Sequence, residues 1–150
     1  MRTTILLFIA ASAAFCGAAS AAEVEVKLLN KGAAGVMVFE PAFVQIQPGD
    51  SVKFVSTDKG HNAESIDGML PDGAVAIAGK MGEDTTVSFD KAGVYGIRCK
   101  PHYGMGMVAM VVVGAPGNAD QAKGVSHPGK AKSTFAALFE KLATSKTAGN

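Results

Sequence analysis

Cys99, His102 and Met107 fall within nine residues of one another, and a second histidine, His61, stands far upstream in Lys59-Gly60-His61-Asn62. A thiolate, two imidazoles and a thioether form the donor set of a copper centre that changes oxidation state. Soft sulfur suits Cu(I), imidazole serves both states, and a trigonal plane with a long axial thioether lets the charge change with little movement. Three donors on one tight loop leave few ways to coordinate, and the distant fourth ties that loop to the rest of the fold. A site of this kind passes single electrons and needs no substrate chemistry of its own.

Two methionines compete for the axial place. Met105 gives Cys-x-x-His-x-x-Met and Met107 gives Cys-x-x-His-x-x-x-x-Met. Met107 is the preferred ligand because it opens an apolar run read as a strand, whereas Met105 lies between two glycines. Around the donors, Gly60 allows backbone to approach the metal, and Asn62 is placed to bridge by its side-chain amide to the Cys99 strand or loop. The His102 ring edge is expected at the surface among Pro101, Tyr103, Gly104 and Met105, where an electron would enter and leave. His127, beside Pro128, reads as a solvated turn residue.

Cysteine usage agrees with a metal role. Met1-Arg2, the apolar stretch from Ile5 to Phe15 and Ala19-Ser20-Ala21 read as a secretory leader over residues 1–21, with cleavage after Ala21 or after Ala22. Cys16 leaves with it, and bulky Phe15 before it argues against lipid attachment. The exported chain then holds one thiol, Cys99, and has no internal disulfide. Copper would occupy a thiol that is otherwise a liability in an oxidising compartment. The expected location is the periplasm, with no membrane insertion once the leader is gone.

The chain's 14 basic and 13 acidic residues nearly cancel. Their distribution is uneven: residues 22–114 carry 8 basic and 11 acidic groups, net −3, and residues 115–150 carry 5 and 2, net +3. Within the acidic body, Lys59, Arg98 and Lys100 flank the proposed ligands, and Lys31 joins them. No basic run with interleaved aromatics is present, which excludes a nucleic-acid partner. Once His61 and His102 are assigned, only His127 remains, too few for a second, catalytic copper centre. The expectation is therefore an electron carrier and not an enzyme, with a copper chaperone or storage protein as the alternative.

These ligands need a rigid frame, and the sequence supplies short strands. Apolar and polar residues alternate at period two in Glu23–Leu28, Phe43–Gln47, Ser51–Val55 and Thr85–Phe89, while Met107–Val113 is a continuous apolar run suited to a strand buried on both faces. Pro48-Gly49-Asp50 and Asp90–Gly93 are turn signals. This predicts an all-β sandwich over residues 22–114, with residues 65–82 as a long surface connection. Residues 115–150 form a C-terminal extension with a short helix near 118–123. A second helix carries Phe135, Leu138, Phe139 and Leu142 on one face, packed on the sandwich.

Val38-Phe-Glu-Pro41, Pro48-Gly49-Asp50, Thr57-Asp-Lys-Gly-His-Asn62, Pro71-Asp-Gly73, Gly93-Val-Tyr-Gly96 and Pro101-His-Tyr-Gly-Met-Gly-Met-Val108 together resemble the pseudoazurins, a branch of the cupredoxins. The resemblance implies an eight-stranded Greek-key sandwich with two C-terminal α-helices and one type 1 copper at one end. It further implies a monomeric carrier that gives electrons to a denitrification enzyme such as copper-containing nitrite reductase. The donor upstream would be a c-type cytochrome or a quinol-linked protein. Met37, Pro101 and Met105 are the candidate apolar docking residues, and Lys31, Lys59, Arg98 and Lys100 the charges that steer an acidic partner.

Overall fold

Period-two alternation builds the first of two four-stranded sheets in the computed structural model, which describes residues 20–147. In β1 (Glu23–Gly32), Val26 and Leu28 point inward while Glu25 and Lys27 face solvent, and in β4 (Ser51–Val55) Val52 and Phe54 do the same. With β2 (Gly35–Glu40) and β6 (Thr85–Ser88) these strands are ordered β2-β1-β4-β6. The second sheet is ordered β3-β8-β7-β5, from β3 (Phe43–Ile46), β8 (Val108–Val113), β7 (Gly93–Arg98) and β5 (Glu64–Ser65). The β1–β4 and β3–β8 pairs are parallel and the other strand pairs antiparallel. Apart from the β1–β2 and β7–β8 pairs, consecutive strands sit in different sheets, as in a Greek-key sandwich.

The apolar run in β8 has a direct explanation. Ala109, Val111 and Val113 enter the core between the sheets with Phe39, Phe54, Phe89 and Tyr95. Val108, Met110 and Val112 face the other way, into a second cluster with Phe135, Leu138 and Leu142. Those three come from α2 (Ala131–Thr147), which lies across the outside of β8. The short α1 (Ala119–Lys123) packs against β7, where Asn118 clasps Val94 by accepting its N–H at 2.7 Å and donating to its carbonyl at 2.9 Å. Burying each large apolar side chain contributes about 1.5–3 kcal/mol, and β8 does so on both faces.

Two expectations need amendment, and one strand had gone unread. The segment 65–82 is more than a surface connection, since Ile66, Met69 and Ile77 are core residues and the Ser65 hydroxyl accepts the Ile77 N–H at 2.9 Å. Anchors spaced at eleven, eight or three residues leave no period to read. Strand β2 was also not legible, because Val36 is exposed and Met37 has φ +51°, which breaks the alternation. His127 is not a solvated turn residue, as described below. The leader expected over residues 1–21 lies, apart from Ser20 and Ala21, outside the described residues. Among those described, no helix is long and apolar enough to cross a membrane.

Candidate metal centre

The β7–β8 ladder sets the stage for the ligand loop. Beyond its last strand pair, Arg98 with Val108, the Cys99 N–H donates to the Met107 carbonyl at 3.0 Å. Cys99 and Met107 therefore face each other across the mouth of the loop, and both side chains are fully buried. Between them the chain makes a single 3₁₀ turn, Tyr103–Met105, entered at His102. The His102 carbonyl accepts the N–H groups of Met105 at 3.0 Å and Met107 at 3.2 Å. Gly106, with φ +89°, reverses the chain into β8. His61 arrives from the opposite sheet, on the loop that leaves β4, and is fully buried.

Three of the four proposed donors converge. His61 Nδ1 lies 3.1 Å from His102 Nδ1, and Cys99 Sγ lies 3.7 Å and 3.6 Å from those two nitrogens. The centre of that triangle is about 2 Å from each corner, which is bonding range for a first-row metal to imidazole nitrogen and close to that for thiolate sulfur, ~2.0–2.3 Å. The donor identities fit the same conclusion. His61 Nε2 lies 2.9 Å from the Asn30 side-chain oxygen, an acceptor, so the ring proton resides there and the Nδ1 lone pair points at Cys99 and His102. Two imidazole nitrogens and a sulfur turned toward one point, away from water, suit a copper ion.

Local electrostatics hold the donors ready. Burial keeps the His61 pKa below its usual value, with His102 adding to this and Asp58 opposing it, so His61 is a neutral ligand near pH 7. Burial pushes the Cys99 thiol up, against the pull of the Asn62 and His102 backbone N–H groups. A cation in the triangle would favour the thiolate over the thiol.

Asn62 bridges the two ligand segments. Its side-chain oxygen accepts the Lys100 N–H at 2.9 Å, while its amide donates to Glu64 at 2.9 Å and to the Gly79 carbonyl at 3.0 Å. Gly60 has φ +86°, a conformation suited to glycine, and is exposed. Asn30 was missed: it lies in β1, and only strand register brings it to a histidine 31 positions away. Its backbone is held in turn by Asp58, which accepts the Asn30 N–H at 2.6 Å.

His102 is partly exposed, and Met105, 48% exposed, lies on the same loop with exposed Pro101. Met107 is inside. Lys31, Lys59 and Lys100 are exposed, and Met37 is partly buried. Arg98 is engaged: it pairs with Glu64 at 3.5 Å and its guanidinium lies 5.3 Å from the centre of the Tyr103 ring. Its charge is largely committed within the fold, so the three lysines are the freer cations.

Comparison with known proteins gives the same site a family. Residues 26–114 match the family described as copper binding proteins, plastocyanin/azurin family. The pseudoazurin of Methylorubrum extorquens is 52% identical over 83% of this chain and 84% of its own length. That of Paracoccus pantotrophus is 51% identical over 75% and 78%. The chain belongs to the pseudoazurins. The solved structure of a pseudoazurin from Sinorhizobium meliloti superposes with a TM-score of 0.79 at 47% identity, covering 81% of this chain and 96% of that one. Pseudoazurins are cupredoxins that carry electrons and are not enzymes, and the His61–Cys99–His102 group is the place for one type 1 copper in this member.

Proposed function

We propose that this pseudoazurin is exported to the bacterial periplasm, works there as a monomer, and carries single electrons to a denitrification enzyme, copper-containing nitrite reductase being the expected acceptor. A c-type cytochrome or quinol-linked protein would supply the electrons. The observation that supports this reading best is the asymmetry of the donor triangle: His61 and Cys99 are sealed inside, and His102 alone reaches toward the surface.

Copper, when bound, supplies the one-electron couple. The chain's own residues do the rest. His61, Cys99 and His102 would hold the ion, and Met107, held at the loop mouth by its backbone bonds to Cys99 and His102, would supply the thioether. Asn30 and Asn62 fix the ring and loop orientations, which keeps rearrangement between oxidation states small. Pro101 and Met105 offer an apolar rim around His102 where a partner docks briefly, and Lys31, Lys59 and Lys100 attract an acidic one.

The test is the visible absorption and EPR spectrum of the mature protein with one equivalent of Cu(II), beside Cys99→Ser. An intense blue thiolate-to-copper band with narrow hyperfine splitting, lost in the variant, is the expected result. A pale Cu(II) spectrum in the wild type would make a copper chaperone the better reading. Mature protein in the periplasmic fraction, beginning at Ala22 or Glu23, checks export. Faster oxidation of the reduced protein by nitrite reductase than by an unrelated acidic acceptor checks the partner.

A further inference from the structure

His127 was expected in solvent and is instead tied to the ligand loop. Its Nδ1 lies 2.6 Å from the Tyr103 hydroxyl, and Tyr103 directly follows His102 in the chain. The imidazole stacks on Phe135 of α2, with ring centres 4.3 Å apart and planes inclined by 28°. Phe135 is 1% exposed and belongs to the cluster with Val108 and Met110 of β8. On its other side Tyr103 meets the Arg98 guanidinium, which Glu64 holds in place. The Tyr103 side chain is thus gripped from β7 and from the C-terminal extension.

The backbone makes the same connection next door. The Lys130 N–H donates to the Gly104 carbonyl at 2.9 Å. Gly129 sits at φ +50°, and a Cβ there would collide with that carbonyl oxygen. A Cβ on Gly106 would meet Thr134 and Lys130. So residues 127–134 form one continuous contact with the turn between His102 and Met107. The backbone part of this contact fixes where the turn lies. The Tyr103–His127 bond acts on the side chain next to His102 in the chain.

We propose that His127 is a positioning residue for the copper site: through Tyr103 it fixes the turn that carries His102, and with it the geometry of the equatorial donors. This rests on the copper reading above. The route is mechanical. The stack on Phe135 immobilises the imidazole, the short hydrogen bond immobilises the phenol, and the phenol's backbone is the first step of the 3₁₀ turn. His127 Nε2 is buried with no partner among the described residues, and burial holds the ring's pKa below its usual value. The ring is therefore neutral near pH 7, and its polar use is the bond to Tyr103.

His127→Phe keeps the stack on Phe135 and deletes the hydrogen bond; Tyr103→Phe deletes it from the other side; His127→Gln keeps a polar partner. Two readouts separate positioning from general stability. In the metal-free protein, amide exchange at Met105, Gly106 and Met107 is measured against Val111 in the centre of β8. In the Cu(II) protein, the reduction potential and the EPR anisotropy are measured. The expected result is a several-fold faster exchange at the three loop amides with Val111 unchanged, and the same displacement of potential and EPR in both Phe variants. The double variant should add nothing to either single one, and His127→Gln should lie nearer the wild type. Unchanged loop exchange and spectra in His127→Phe would overturn the proposal, as would additive effects in the double variant. If the wild type lacks a thiolate-to-copper band, the copper reading fails, while the exchange result still decides whether His127 holds the loop.

Discussion

At the residue scale, what distinguishes this site is the work done by neutral amides. Asn30 fixes the tautomer of His61, and Asn62 joins the His61 segment to the Cys99 segment by one hydrogen bond from Lys100 while two more anchor it to Glu64 and Gly79. Asn30 holds the ring nitrogen opposite the donor atom and Asn62 holds the backbone next to Cys99, so each hydrogen bond limits how far a ligand can move. The two methionines differ in the opposite way to their similar spacing: Met107 is fully buried at the loop mouth, while Met105 is 48% exposed. Replacing Met107 by leucine is expected to shift the reduction potential substantially and leave the fold intact. Met105→Leu should leave the potential within a few tens of millivolts, on the order of 1 kcal/mol or less. Cyclic voltammetry of the two variants compares them directly, and the reverse order would move the axial assignment to Met105.

At the element scale, β8 and α2 form one unit with the ligand loop. The strand's inward residues fill the sandwich and its outward residues receive the helix, so the end of β8 that carries Met107 is clamped on both faces. Phe135 is central, because it supports β8 on one side and the His127 ring on the other. Phe135→Ala is expected to lower the unfolding free energy by about 3–5 kcal/mol, measured by denaturant titration of the metal-free protein. A loss under ~1 kcal/mol would mean that the helix is only loosely docked. The apolar stripe of α2 was legible because helical spacing survives without its partner. The irregular anchors at Ile66, Met69 and Ile77 were not, since each answers to a separate gap between the sheets.

At the scale of the whole molecule, charge is sorted into an acidic body and a basic C-terminal extension. Among the exposed lysines of the body, Lys31, Lys59 and Lys100 are the ones proposed to flank the site, and Arg98 is held by Glu64. Steering by exposed charges falls off beyond about 10 Å at 0.1 M salt. Lys59→Ala together with Lys100→Ala is therefore expected to slow electron transfer with an acidic partner several-fold at low ionic strength, and to have little effect at high ionic strength. Stopped-flow rates across a salt series test this. A loss independent of salt would show that these side chains act by contact and not by field.

Donor chemistry, strand class and the helical extension could be read from the chain alone. Ligand types, alternation at period two and helical spacing are local properties, and they are written in consecutive residues. Cys99 and His102 were legible because one loop carries them, and His61 because so few histidines compete with it. That Asn30 orients His61, that Arg98 is paired with Glu64 and that His127 grips Tyr103 emerged from the folded arrangement. Each of those contacts joins residues 24 to 34 positions apart. Their meeting depends on which strands are neighbours, in what register, and where the C-terminal extension docks, and that is fixed by the packing of the whole molecule.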